Sequence, residues 1–313
     1  MTNLLRCLVF VGCFNGASLI TRISSLFLLL PVFCPITQAA EKPAESYRVL
    51  FLGNSRYVAN GGPLQAFEGF CRAEGLVCEA VNQRGGERDR LPLKPVTHGI
   101  EFAGLGRINP YIRKVANDER VRALITSGQF NYVVIHTRPG DFVPDSLGNP
   151  DNDQPFVGIR ATTDAFKDLH RLIVESDATT VISMTHVNSQ FFHLMHIVAE
   201  AHRRLKEELN AMAVGGGSDS VILVPTGLFW LDAKEKFGVE AWYEDPTHAS
   251  KLGQYGTGAI FYTYLTGWDP RQNAFADLPS SWQALEGIRK KSVTPAQAEL
   301  IKNLVWWYYS KYR

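Results

Sequence analysis

The sequence predicts a single doubly wound α/β domain built on a parallel sheet, and three observations carry that reading. Short apolar runs of β type recur at 49–52, 77–81, 131–136, 179–184 and 221–224, with segments of helical period between them. The third run, Asn131-Tyr-Val-Val-Ile-His136, is apolar at consecutive rather than alternate positions, as a central strand covered on both faces should be. The 313 residues are 45% hydrophobic and 20% charged, enough apolar material for one large core, and neither an internal repeat nor a second domain boundary interrupts them. The formal net charge of +1 gives no basic footprint for nucleic acid.

The first forty residues stand apart. They carry apolar runs at 8–14 and 23–34, Arg6 and Arg22 as their charges, and the small-residue stretch Pro35-Ile-Thr37-Gln-Ala39-Ala40 before Glu41. This is the pattern of a secretory signal peptide cut after Ala39 or Ala40. An uncleaved anchor is the alternative, because the two apolar runs together are long enough to span a bilayer. On the first reading 1–40 is the leader and 41–313 the domain, which works in the periplasm or outside the cell with no stable membrane insertion. Cys7, Cys13 and Cys34 fall in the leader, leaving Cys71 and Cys78 on either side of the turn Ala73-Glu-Gly75. An oxidising compartment lets these two pair, and a buried free pair is the other possibility.

The elements follow in order. The strand 49–52 runs into Gly53-Asn54-Ser55, and Asn60-Gly-Gly-Pro63 opens a helix over 64–71. Gly53 allows a tight bend, so Ser55 falls in a strand-to-helix turn at the carboxyl end of a strand, where open α/β sheets collect ligands. An ordinary helix-capping serine is the plain alternative. The strand 77–81 leads to Gly85-Gly86, whose backbone can approach a ligand closely. A helical stretch over 109–125 precedes the third strand. The run 139–155, with four prolines and Asp141, Asp145, Asp151 and Asp153, reads as an irregular loop over the rim of a site, and its acids match no EF-hand spacing. A helix at 159–176, a strand at 179–184, a helix at 190–212, the break Gly215-Gly-Gly217, a strand at 221–224 and a helix at 225–237 complete the alternation. His193 and His196 stand one helical turn apart and, with His186, raise the question of a metal. There is no HExxH pattern and no clear third ligand, so no metal is assigned.

The stretch Tyr243-Glu-Asp245-Pro246-Thr247-His248 stands ahead of a helix over 257–265. Three residues apart in a turn, the Asp245 carboxylate can accept from one imidazole nitrogen of His248, fixing its tautomer and leaving the other nitrogen as a general base. Taken alone, Asp245 would read as a helix cap and His248 as a surface residue.

Taken together, the early Gly53-Asn54-Ser55 and the late Asp245-Pro246-Thr247-His248 make the chain resemble the SGNH, or GDSL-like, hydrolase superfamily, in particular its bacterial secreted members. The resemblance spans about 47–268 in element order and is specific in its first and last blocks. It implies a flavodoxin-like three-layer α/β/α fold with a five-stranded parallel sheet, and ester hydrolysis without metal or organic cofactor. Carried over by position, Ser55 is the nucleophile, His248 the base and Asp245 its orienting acid. The oxyanion-hole glycine becomes Gly86 or Gly85, its N–H acting beside that of Ser55. Two departures stand out. Asn54 replaces the commoner Asp, and the family's Gly-x-Asn-Asp after the third strand is absent, the chain reading His136-Thr137-Arg138-Pro139 there. His136 is the first choice for the missing donor, with Thr137 and Arg138 behind it. The implied substrate is a small-molecule or carbohydrate ester, O-acetyl groups on a carbohydrate first. A catalytically weak glycan- or partner-binding protein, and a lipase or thioesterase, are the alternatives.

Overall fold

Val49, Leu50, Phe51 and Leu52 are all buried to within 1% of exposure, so the first strand must lie inside a sheet covered on both faces. The computed structural model describes residues 46–53, 62–83, 111–136, 138–143, 159–212, 221–276 and 293–312. Within them β1 (Ser46–Leu52) pairs in parallel with β2 (Val77–Gln83) on one side and β3 (Tyr132–His136) on the other. β4 (Thr179–Ser183) and β5 (Val221–Val224) extend the sheet, giving the order β2-β1-β3-β4-β5 with every pairing parallel. This is the flavodoxin-like doubly wound order, as expected.

The helices are α1 (Gly62–Ala73), α2 (Tyr111–Asn117), α3 (Glu119–Thr126), α4 (Ile159–Glu175), α5 (Met195–Asn210), α6 (Thr226–Phe237), α7 (Val239–Trp242), α8 (Lys251–Thr266) and α9 (Pro295–Tyr312). None of the described helices is long and apolar enough to cross a membrane. Phe51 of β1 meets Phe67 of α1 and Phe261 of α8 edge-on, which ties this inner strand to the two helices that follow the sequence blocks singled out above. Residues 1–40, read from sequence as a leader, lie outside the described residues.

The differences from expectation have local causes. The stretch 109–125 is two helices, because the Asp118 carboxylate accepts from the Arg120 N–H and caps a second one. The stretch 190–212 begins as a 3₁₀ turn, Ser189–Leu194, which becomes α5 only after Phe191 leaves helical angles. The proline-rich run is not irregular at its start, since Pro139–Phe142 forms a buried 3₁₀ turn closed by Asp141 accepting from the Arg138 N–H. The rest of that run, from 144 to 155, lies outside the described residues. α8 starts at Lys251, six residues before the expected 257, because Ser250 accepts from the Gly253 N–H and caps it. Neither α7 nor α9 was anticipated. Cys71 and Cys78 are both free thiols, and a hydrogen bond with Cys78, together with burial, pushes the Cys71 thiol up.

His202 of α5 makes the fold acid-sensitive. Its Nδ1–H donates to the Val198 carbonyl at 2.7 Å, its ring lies 3.8 Å from that of Phe142, and its Nε2 is buried with no hydrogen-bond partner. Burial holds its pKa down to about 4, against 6.5 for a free imidazole. The unfolded chain therefore binds a proton that the folded one refuses. The stabilisation is complete above 6.5, falls as the pH drops from there to about 4, and levels off below. Across that window the loss is about 3 kcal/mol. Thermal melts of His202→Leu should show a shallower fall in midpoint between pH 6.5 and 4 than wild type; equal slopes would exclude this residue as the cause.

Candidate active site

At the carboxyl edge of the sheet the ends of β1 and β3 lie side by side. β1 ends at Leu52, three residues before Ser55, and β3 ends at His136 beside it in the sheet. The strand order turns back between β1 and β3, which places the switch-point crevice between these two strand ends. Ser55, Gly85, Gly86 and Thr137 lie outside the described residues.

The late block forms a tight turn. Asp245 Oδ2 lies 2.7 Å from His248 Nδ1, while Oδ1 accepts the backbone N–H groups of Thr247 at 2.7 Å and His248 at 2.8 Å. Tyr243 and Ala249 bridge antiparallel across its base, and Glu244 N–H donates to the His248 carbonyl at 2.9 Å. Burial pushes the Asp245 carboxyl up, but the hydrogen bonds from the His248 ring and from the Thr247 and His248 backbone outweigh it and hold the pKa at about 2. Burial and the nearby Asp245 charge instead raise Glu244. Asp245 is thus ionised at any working pH. An ionised Asp245 accepts a hydrogen bond from His248 Nδ1–H, which keeps the proton on Nδ1 and leaves Nε2 as the acceptor, the arrangement a general base requires. With a quarter of its side chain exposed, the imidazole can be reached from solvent.

The segment after β4 holds this turn in place, and sequence reasoning did not see it. Ser189 N–H donates to the Pro246 carbonyl at 2.9 Å, and the Tyr243 hydroxyl donates to the Val187 carbonyl. His186 Nε2 lies 3.2 Å from the Thr247 carbonyl, its ring stacked on Trp230 at 4.1 Å and 9°. Because β4 ends at Ser183, these ties put the Asp245–His248 turn at the carboxyl edge as well. The same segment reaches His136. That ring is 2% exposed, with Nδ1 3.1 Å from Ser183 Oγ and Nε2 3.5 Å from Thr185 Oγ1. The only sequence signal was the polar run Thr185-His186 directly past a strand, too short to assign a role.

Arg138 turns back on the buried Asp141, with Nη2 at 3.5 Å from Oδ1. Of the three histidines considered for a metal, His186 is buried and engaged with Thr247, whereas His193 and His196 are exposed.

No protein-family model matches the chain, and no curated protein matches it in sequence. Solved structures do. A DUF4886 family protein from Bacteroides uniformis superposes with a TM-score of 0.53 at 12% identity, over 84% of this chain and 94% of its own. The acetylxylan esterase Axe2 from Geobacillus stearothermophilus gives 0.49 at 12% identity, over 74% and 98%. A candidate SGNH hydrolase from Slackia heliotrinireducens gives 0.43 at 13%, over 70% and 99%. At the level of fold the expectation holds: the chain is a doubly wound α/β domain on a five-stranded parallel sheet, and the DUF4886 family protein shares that fold.

Proposed function

We propose that the chain is an SGNH-type serine hydrolase of carboxylic esters, with Ser55 as nucleophile, His248 as base and Asp245 as its orienting acid. The observation that carries the reading is the 2.7 Å contact of Asp245 with His248 Nδ1 on a turn fastened to the carboxyl edge of the sheet. His248 Nε2 takes the Ser55 proton as the hydroxyl oxygen attacks the acyl carbon. The tetrahedral intermediate then expels the alcohol, which receives that proton. Water, deprotonated by the same nitrogen, releases the acid and regenerates Ser55. The N–H groups of Ser55 and Gly86 hold the oxyanion, with His136 as the third donor. The residues named need no cofactor for this chemistry. The substrate we infer is a carbohydrate O-acetyl ester, met outside the cytoplasm after the leader 1–40 is removed from the domain 41–313.

A fluorophosphonate probe tests the assignment directly, since it labels only an activated serine. Wild type should label and Ser55→Ala should not. An unlabelled wild type would favour the non-catalytic binding protein, the reading that the missing Gly-x-Asn-Asp block supports. Acyl preference is then read from nitrophenyl esters of increasing chain length and from acetylated oligosaccharide, on which a lipase or thioesterase would fail.

The His136 assignment has its own support. The Thr185 hydroxyl donates to the His186 carbonyl at 3.2 Å, so its oxygen accepts from His136 Nε2–H and the Ser183 hydroxyl donates to Nδ1. His136 also ends β3, the strand beside β1 in the sheet, so its side chain stands at the carboxyl edge next to the strand that leads to Ser55. His136→Ala should lower kcat about 10²–10³-fold with a much smaller change in KM, because the bond tightens only as charge develops on the carbonyl oxygen. Unchanged kcat in a folded variant would move the role to Thr137 or Arg138.

A further inference from the structure

We propose that His186, which lies outside the triad, is a positioning residue that sets the orientation of the His248 imidazole by clamping the peptide unit joining Thr247 to His248. The inference rests on the hydrolase reading for its effect on rate, but its geometry stands by itself. One end of that peptide unit, the His248 N–H, donates to Asp245 Oδ1 at 2.8 Å. The other end, the Thr247 carbonyl, accepts from His186 Nε2–H at 3.2 Å. A peptide unit is planar and turns as one body, so two oppositely directed hydrogen bonds fix its rotation. That rotation sets the direction in which the His248 side chain leaves the backbone.

The clamp has a rigid mount. The His186 ring is buried, stacked on Trp230 at 4.1 Å and 9°, and meets Tyr243 edge-on at 5.7 Å and 70°. Trp230 is itself fixed by its Nε1–H donating to Thr257 Oγ1 at 3.1 Å. The other two ties from this segment, Ser189 to Pro246 and Tyr243 to Val187, end on backbone groups on the segment's side. His186 is therefore a side chain of the segment after β4 that grips the residue immediately before the base. Losing it frees one end of the peptide unit while Asp245 still holds the other, and the imidazole can then swing relative to Ser55. Misplacement of a reacting group by about 1 Å costs on the order of 100-fold in rate.

The test compares His186→Phe, which keeps a flat ring against Trp230 but has no N–H, with His186→Gln, whose amide can reach the Thr247 carbonyl. Ester hydrolysis and the proton NMR signal of the His248 Nδ1–H, read downfield in its Asp245 hydrogen bond, are measured on the same samples. We expect His186→Phe to melt close to wild type and to lose about 100-fold in kcat with little change in KM. Its Nδ1–H signal should broaden or vanish, and His186→Gln should recover much of both. Should His186→Phe not fold, His186→Gln and His186→Asn, which differ in reach by one methylene, carry the same comparison. Wild-type kcat and an intact Nδ1–H signal in the Phe variant, or in the Asn variant if that is the pair used, would overturn the proposal. If wild type itself neither hydrolyses esters nor labels with the probe while the signal is still lost on substitution, the hydrolase reading falls and the clamp stands.

Discussion

Ser55→Ala and His248→Ala are each expected to lower kcat by about 10⁴-fold or more while leaving the fold intact. Nucleophile and base act as one unit, so removing either disables the same proton transfer. The fold should tolerate the histidine change because His248 is a partly exposed side chain on a surface turn, and its backbone bonds survive truncation. Asp245→Ala should differ in kind. Without the carboxylate the imidazole loses its orienting partner, yet it remains a base, so less activity is lost. The structural penalty is larger, because Oδ1 also holds the backbone N–H groups of Thr247 and His248. Asp245→Asn separates the two effects, since its amide oxygen can still accept those N–H groups while the charge facing the ring is gone. Steady-state kinetics with thermal melts on the four variants reads all of this. Wild-type turnover by a folded Ser55→Ala protein would sink the serine assignment.

Why the pair could be read from sequence at all is a matter of distance along the chain. Asp245 and His248 are three residues apart, so their contact is local and a spacing rule reaches it. The strands were legible for a similar reason, since Tyr132-Val-Val-Ile-His136 carries its burial in its own composition. His186 was not legible, because its partner carbonyl is 61 residues away and nothing in the local pattern points there. The start of α8 was hidden by Gly253 and Gly256, which weaken helical propensity in a segment that tertiary packing nevertheless makes helical. α9 was missed because Val305-Trp-Trp-Tyr-Tyr309 suits a strand by propensity. Its helical state is decided by what it packs on, with the Tyr308 hydroxyl bonded to Leu228 and Asp232 of α6 and the Tyr309 ring meeting Tyr264 of α8. Propensity reads the chain alone, and these segments are settled by their neighbours.

The glycines of α8 lead to the second large effect. Gly258 faces α1 so closely that an added Cβ would lie 2.2 Å from Ala66 Cβ and 2.8 Å from the Phe67 backbone nitrogen. Non-bonded carbons need about 3.5 Å or more, and the Phe67 nitrogen belongs to a helix backbone that no rotamer change can move. On an isolated helix Gly→Ala would stabilise by about 1 kcal/mol. Here Gly258→Ala should destabilise by about 1–3 kcal/mol after that gain, and Gly258→Leu should fail to fold. The sign is therefore diagnostic of the close approach. Ala66→Gly removes the nearest atom, so the pair Ala66→Gly with Gly258→Ala should recover part of the loss but not all, because the Phe67 nitrogen remains in the way. On the proposed hydrolase reading the same contact bears on catalysis. α1 follows the Ser55 block and α8 follows the Asp245–His248 turn, so in the proposed site the separation of these helices would set how nucleophile and base meet. Gly258→Ala should accordingly lower kcat in the fraction that stays folded, more than a core substitution of equal stability cost away from this contact, such as Leu169→Ala. A rise in melting temperature for Gly258→Ala would show that α1 and α8 are not in close contact, and would remove this link between packing and activity.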